Sequence, residues 1–318
     1  MQILYNSVFL QHDTGLHPEN RKRLETCGDL QESTIENGEQ YLPLFHTQNY
    51  VDRVKEASRE GLHLDVDTVA SAGSYEAAIY AVGATVMASR TGDFALVRPP
   101  GHHAYPSRSS GFCLFNNIAI AAQKLVLEGK SVLILDIDGH LGDGTFHFFY
   151  PSDQVLYCSL HQSPAFPGGG AAGEIGTGQG KGFTINIPLP PGSGDDIYMR
   201  ALQKVLPIAE QFDPDVVAVS AGFDAHQYDL LLDLRLSATT YYHLGRFLRS
   251  SFENIFATLE GGYNIQVFPK CLFNFIDGIN GEEMRFEEQR TDSRILAIEE
   301  FELRMSELNS ALSPFWTL

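Results

Sequence analysis

Between Val132 and Thr145 the chain passes from Val-Leu-Ile-Leu into Asp136-Ile137-Asp138-Gly139-His140-Leu141-Gly142-Asp143-Gly144-Thr145. The unbroken apolar stretch reads as a buried strand, and the glycines after it loosen the chain into a loop. Alternate side chains of an extended segment share a face, which sets Asp136, Asp138 and His140 on one side. Two carboxylates and an imidazole converging where a strand ends are not a packing solution, because each unpaired buried charge costs several kcal/mol. A divalent cation neutralises them best. Asp and His as neighbouring ligands suit zinc, iron or manganese better than calcium.

The rest of the chain fits a sheet around that strand. Further strand candidates are Phe94–Val97, Val155–Leu160, Phe183–Ile187, Val216–Ser220 and Ile255–Leu259, with the central one running from Ser131 to Asp136. Between them Tyr75–Ala88, Asn117–Leu127, Tyr198–Gln211 and Thr239–Ser250 carry helical apolar spacing. This alternation predicts an α/β fold with a mostly parallel central sheet and helices on both faces. Thr291–Leu312 reads as a terminal helix stopped near Pro314, with Ile295, Ile298, Met305, Leu308 and Leu312 as its docking stripe. No internal repeat or low-complexity linker divides the 318 residues, so a single domain over 1–318 is expected. Gly168–Gly182 is glycine-rich, but it opens no evident helix and lacks a GK[ST] ending, so it reads as a surface loop rather than a phosphate cradle.

Composition narrows the function. The formal net charge of −18 argues against nucleic acid, whose phosphates need a lysine and arginine surface. No apolar stretch is long enough to span a membrane, and Met1–Asn6 lacks the pattern of a signal peptide. Cys27, Cys113, Cys158 and Cys271 form no CxxC pair, as expected for reduced thiols in a cytoplasmic setting.

Three more segments place polar residues just after apolar strands, where open α/β sheets gather their ligands. Arg98-Pro99-Pro100-Gly101-His102-His103-Ala104 presents two imidazoles on a stiff turn, which favours acid/base work over a structural histidine. In Ser220-Ala221-Gly222-Phe223-Asp224-Ala225-His226 the acid stands again at a strand end, with a helix N-cap as its plainer reading. In Leu259-Glu260-Gly261-Gly262-Tyr263-Asn264 the glycines allow close backbone approach to a ligand, though Tyr263 taken alone reads as a packed aromatic.

Together these segments resemble the histone deacetylase superfamily, which includes acetylpolyamine amidohydrolases and bacterial deacetylases. The resemblance extends through His17-Pro18-Glu19, Gly73–Ala78, Gly111–Asn117, Ser159-Leu160-His161 and Phe166-Pro167-Gly168, and its style is closer to class II enzymes than to class I. It implies an arginase-like α/β fold and a zinc-dependent amide hydrolase, with ferrous iron as an alternative metal, acting on an acylated lysine in a protein or on a small acetylated amine. Asp138, His140 and Asp224 match the metal ligands, His102 and His103 the tandem catalytic histidines, and Tyr263 the donor to the scissile carbonyl. Asp136 and Asp143 match the carboxylates behind the first and second histidine. Asp136, the carbonyls of Asp138, His140 and Leu160, and the Ser159 hydroxyl match a structural potassium site. Phe112 and Phe166 match the walls of an acyl-lysine tunnel, and Gly111 a carbonyl that accepts the substrate amide proton. A homo-oligomer is compatible with the sequence but not specified by it.

The chain also departs from the pattern. Leu141 stands where the family has a second histidine after His140, which puts the local hydrogen-bond network in question, and Gly139 replaces a bulkier residue. After His226 the run Gln227–Asp233 replaces a Pro-containing turn. Asp229 and Asp233 within it read as solvated surface charges, with acidic gatekeepers at the pocket mouth as the weaker alternative. Tyr105–Ser110 is short and carries Arg108, which gives no support to a polyamine-type insertion. A different amide or guanidinium substrate is a weaker reading, because a two-manganese site needs more carboxylates. A silent acyl-lysine binder is weaker still, because every catalytic position is filled.

Overall fold

The computed structural model describes residues 1–318. Seven strands, β1 (Ile3–Leu4), β2 (Phe94–Ala95), β3 (Val132–Asp136), β4 (Val155–Gln162), β5 (Thr184–Leu189), β6 (Val216–Ala221) and β7 (Ile255–Leu259), form one sheet in the order β1-β2-β7-β6-β3-β4-β5. Every pairing is parallel. All five residues of β3 and all eight of β4 are buried. Successive side chains point to opposite faces, so both faces of the sheet are covered.

The covering helices are α1 (Lys22–Glu25), α2 (Gln48–Glu60), α3 (Ser74–Thr91), α4 (Asn117–Leu127), α5 (Asp143–Phe149), α6 (Asp195–Phe212), α7 (Ala238–Ser251), α8 (Phe268–Asn280) and α9 (Ile295–Leu312). α4 starts on an N-cap, Asn116, whose side chain accepts from Ala119 N–H at 3.0 Å. α2 ends on Gly61 in the left-handed conformation that lets its N–H close the last turn. No helix is long and apolar enough to cross a membrane. The four cysteines are buried and unpaired.

Strand order positions the site. After β3 the chain moves to one side through β4 and β5, then returns to the other side of β3 through β6 and β7. The loops leaving β3 and β6 therefore diverge at the carboxyl edge and open a crevice between them, the usual ligand position in open parallel sheets. The docking stripe of α9 needs one correction: Ile295 is 76% exposed, while Ala297 and Phe301 join Met305, Leu308 and Leu312 inside. The helix begins at Ile295, so the first turn overhangs its docking surface. Ile298 is partly buried against the core.

Candidate metal centre and active site

Asp138 leaves β3 two residues past its end and Asp224 leaves β6 three residues past its end, one on each side of the crevice. With His140 they form a buried cluster whose ligand atoms all lie within 4.8 Å of one another. His140 Nδ1 stands 2.7 Å from Asp224 Oδ2 and 3.2 Å from Asp138 Oδ1. Backbone donors hold the remaining oxygens: Gly139 N–H donates to Asp224 Oδ1 and Gly261 N–H to Asp138 Oδ2, each at 2.7 Å. Space explains two of the glycines. A Cβ on Gly222 would lie 2.0 Å from Asp138 Oδ2, and one on Gly261 would lie within 2.7 Å of both carboxylates.

Electrostatics shows that the cluster lacks balance as a set of bare side chains. Burial and the Asp138 charge push Asp224 up to about 7. Burial opposes the charged form of His140, yet Asp224 and Asp138 outweigh it and raise the imidazole to about 10. Asp138 is held well below the carboxylate range by His102 and His140 against its own burial. Two buried carboxylates and one imidazole with its Nδ1 between them make a three-point N/O donor set that suits zinc or ferrous iron and leaves coordination positions free. The residues present fit the metal.

Beside this cluster lie the tandem histidines. His102 Nδ1 stands 3.1 Å from Asp136 Oδ2, and His103 Nδ1 stands 2.7 Å from Asp143 Oδ1. Burial disfavours the charged form of both rings. Asp136, Asp138 and Glu260 overcome it for His102, which is raised well above its ordinary value. His103 faces that charge and is lowered to about 4. The two rings are thus pushed in opposite directions, His102 toward its charged form and His103 toward its neutral form, with centroids 4.0 Å apart. Tyr263 is buried, and burial together with Asp138 and Asp224 keeps its phenol protonated.

Phe112 packs edge-on against Tyr263 at 5.7 Å and against His17 at 4.4 Å, while Phe166 packs against His103 at 5.1 Å and His140 at 6.3 Å. The two aromatics flank opposite parts of the site, and Phe166 remains 49% exposed. Phe112 has φ of 70°, a strained backbone for a bulky residue, and its N–H is held by Thr68 Oγ1 at 3.2 Å. Gly111 is open because a Cβ there would strike the His103 ring at 2.5 Å. Asp136 is in register with Ser159 on β4, which sets the potassium candidates side by side, and Ser159 Oγ also bonds His161 Nδ1 at 2.9 Å. Leu160 is buried on the same strand. Leu141 is buried in an apolar niche, its Cδ2 3.0 Å from a Cβ position at Gly170.

Four functional residues escape sequence reasoning. Glu260, raised to about 7 by burial, accepts the N–H groups of Gly101 and His102 at 2.7 and 3.1 Å and so fixes the histidine turn. Fully buried Arg23 donates to the carbonyls of Gly262 at 2.6 Å and Glu260 at 2.5 Å. Glu19 holds both Arg98 and Arg23. Asp229, expected as a solvated charge, is only partly exposed and accepts from Tyr263 N–H at 2.7 Å and Asn264 N–H at 3.1 Å. The adjacent Asp233 is exposed, as expected. The i,i+4 spacing of Glu19 and Arg23 is the one sequence signal among these four residues.

Sequence and structure comparisons place these features in a family. The model described as "Histone deacetylase domain" matches residues 16–279. A probable deacetylase of Archaeoglobus fulgidus is 37% identical over 292 residues, covering 83% of this chain and 81% of the relative. A histone deacetylase-like amidohydrolase of Pseudomonas aeruginosa is 35% identical over 289 residues, covering 83% and 76%. The crystal structure of the HDA15 HD domain superposes with a TM-score of 0.88 at 32% identity, covering 99% of this chain and 97% of that one. With a family model spanning most of its length and a relative matched over about four-fifths of either chain, this chain belongs to the histone deacetylase family.

Proposed function

We propose that the chain is a zinc-dependent deacylase that hydrolyses the amide of an acylated lysine or of a small acylated amine. The observation that carries this reading is one buried crevice holding the Asp138–His140–Asp224 donor set, two carboxylate-paired histidines pushed in opposite directions, and a protonated phenol. A zinc held by Asp138, His140 and Asp224 supplies Lewis acidity toward a carbonyl oxygen and acidifies water.

The side chains do the rest. Neutral His103 accepts the proton of the attacking water at Nε2 while Asp143 orients the ring through Nδ1. The same nitrogen then returns the proton to the departing amine. His102, held cationic by Asp136, stabilises the negative charge that develops beside it. Tyr263 donates its hydroxyl hydrogen to the carbonyl oxygen as that oxygen becomes anionic. Phe112 and Phe166 exclude water from a slender alkyl chain, and the Gly111 carbonyl accepts the substrate amide N–H. Asp136, Ser159 and the carbonyls of Asp138, His140 and Leu160 form a potassium site beneath the histidines. Four unpaired buried thiols support a reducing, cytoplasmic location.

A fluorogenic acetyl-lysine peptide, assayed with and without chelator, tests the reading. Chelator-sensitive hydrolysis supports it, and no such hydrolysis across acyl types overturns it. Comparison by kcat/KM of acetylated peptides, acetylated polyamines and longer acyl-lysines names the substrate class. A lead of more than about a hundredfold for polyamines, near 2.7 kcal/mol, assigns a small-molecule amidohydrolase instead.

A further inference from the structure

The segment Gln227–Asp233 touches both halves of the site. Asp229 Oδ2 accepts from the N–H groups of Tyr263 and Asn264, while Oδ1 accepts from Leu230 at 2.7 Å and Leu231 at 3.3 Å. The Asn264 side-chain amide donates back to the Tyr228 carbonyl at 2.6 Å. At its far end, Leu232 Cδ1 fills the space beside Gly139, 2.3 Å from where a Cβ would stand. Asp233 N–H donates to Gln162 Oε1 at 2.7 Å, and Gln162 N–H donates to the Gly139 carbonyl at 2.8 Å. This strap ties the loop carrying Tyr263 to the loop carrying Asp138 and His140.

Tyr263 needs such a tie. It follows Gly261-Gly262, with Gly262 at φ of 113°, and a glycine pair does not by itself aim the side chain that follows. We infer that Asp229 is the positioning residue for Tyr263: its carboxylate fixes the backbone from which the phenol is aimed at the scissile carbonyl. The inference rests on the proposed hydrolase reading for its kinetic consequence, though not for the lacing itself. An asparagine cannot replace the carboxylate. Whichever way its amide faces, an NH2 group meets one pair of backbone donors that Asp229 now satisfies.

The test is Asp229→Asn alone and combined with Tyr263→Phe. Alone it lowers kcat on the order of a hundredfold with KM changed less than about twofold, as for a misaimed group. In the Tyr263→Phe background it has no further effect on kcat, because the group it aims is gone. Metal content stays at the wild-type level, and Asp233→Asn leaves kcat unchanged. Amide exchange at Tyr263 and Asn264 becomes faster than in wild type while β7 keeps its protection, a readout independent of turnover. An undiminished kcat, an equal loss in both backgrounds, or unchanged exchange overturns the inference. If the wild type itself hydrolyses no acylated substrate, the function reading fails and exchange decides the lacing alone. Should Asp229→Asn fail to fold, Asp229→Glu takes its place in the same cycle, keeping the acceptors but displacing them by one methylene.

Discussion

Two aspartates bracket β6, and they live in opposite worlds. Asp215, just before the strand, is exposed. It accepts from the Ser131 N–H at 2.9 Å and hydroxyl at 3.1 Å and faces Lys130, so its carboxyl is held below the ordinary value of 3.8. Asp224, just after the strand, is fully buried beside Asp138 and is pushed up to about 7. At the amino edge of the sheet, charge is solvated and serves the local turn. At the carboxyl edge, charges are concentrated among buried side chains, and each is stable only through a partner. The same residue type on the same strand is thus surface trim at one end and part of a candidate cation site at the other, and burial decides which.

The sharpest way to break that contrast is to neutralise each acid in turn. Asp224→Asn removes a proposed metal ligand and is expected to lower turnover at least about a thousandfold with loss of bound metal. Asp215→Asn changes kcat by less than about twofold and stability by no more than about 0.5 kcal/mol, as for surface substitutions generally. Comparable losses in both variants, measured as kcat/KM and metal content, would erase the distinction between the two edges. Tyr263→Phe comes next. It keeps the metal and the ring packing but removes one donor, so kcat falls at least about a hundredfold, and near-wild-type turnover would take Tyr263 out of the chemistry.

Acid separates the two edges by stability. Burial lowers His46, near the histidine turn, to about 3, and its Nε2 accepts from Asn116 N–H at 2.9 Å. The folded value lies below the unfolded value of 6.5, so the unfolded state binds the extra proton as pH falls. The stabilisation is complete above pH 6.5 and is lost progressively toward about 3. Asp215 loses its share in the same direction but in a lower window: that share is present above 3.8 and is lost only as pH falls below it. Denaturant unfolding at pH 6.5 and pH 5 should therefore show a decline of about 2 kcal/mol from His46 alone. His46→Gln, which keeps an acceptor but cannot charge, removes that part of the decline, and an unchanged slope in the variant refutes the assignment. The smallest effect concerns Gly139→Ala. The new methyl displaces Leu232 and costs about 1 kcal/mol, and Leu232→Ala relieves it; additive losses in a double-mutant cycle would show that the two do not share the space.

The carboxyl edge was legible in the sequence because its chemistry is local. Asp136, Asp138 and His140 follow an apolar strand at alternating positions, and the histidine turn and the Tyr263 loop each hold their residues within a few positions of a strand end. The sheet was legible for the same reason, apart from β1, two residues long and too short for any periodicity. α2 went unread in a stretch without a flanking strand, and α8 went unread although it follows β7 and its loop. The supporting residues were hidden for a different reason. Glu260 and Asp229 act on backbone N–H groups, which carry no residue-type signature, and Asp229 lies 34 residues from the loop it holds. Arg23 answers carbonyls more than 230 residues away. Gly139 and Leu232 make sense only as a pair, since the space one leaves is filled by the other.

The most direct measurement is a calorimetric titration of zinc into chelator-treated protein, run on the wild type, Asp224→Asn and Asp215→Asn. The expected result is one zinc per wild-type chain with release of protons, because the carboxylates beside His140 raise its imidazole to about 10 and a metal at that nitrogen displaces the proton. Asp215→Asn should titrate as wild type, and Asp224→Asn should show binding weaker by at least about a hundredfold. A wild type that takes up no zinc, or an Asp224→Asn variant that binds it as tightly, would contradict the placement of a metal centre at the carboxyl edge.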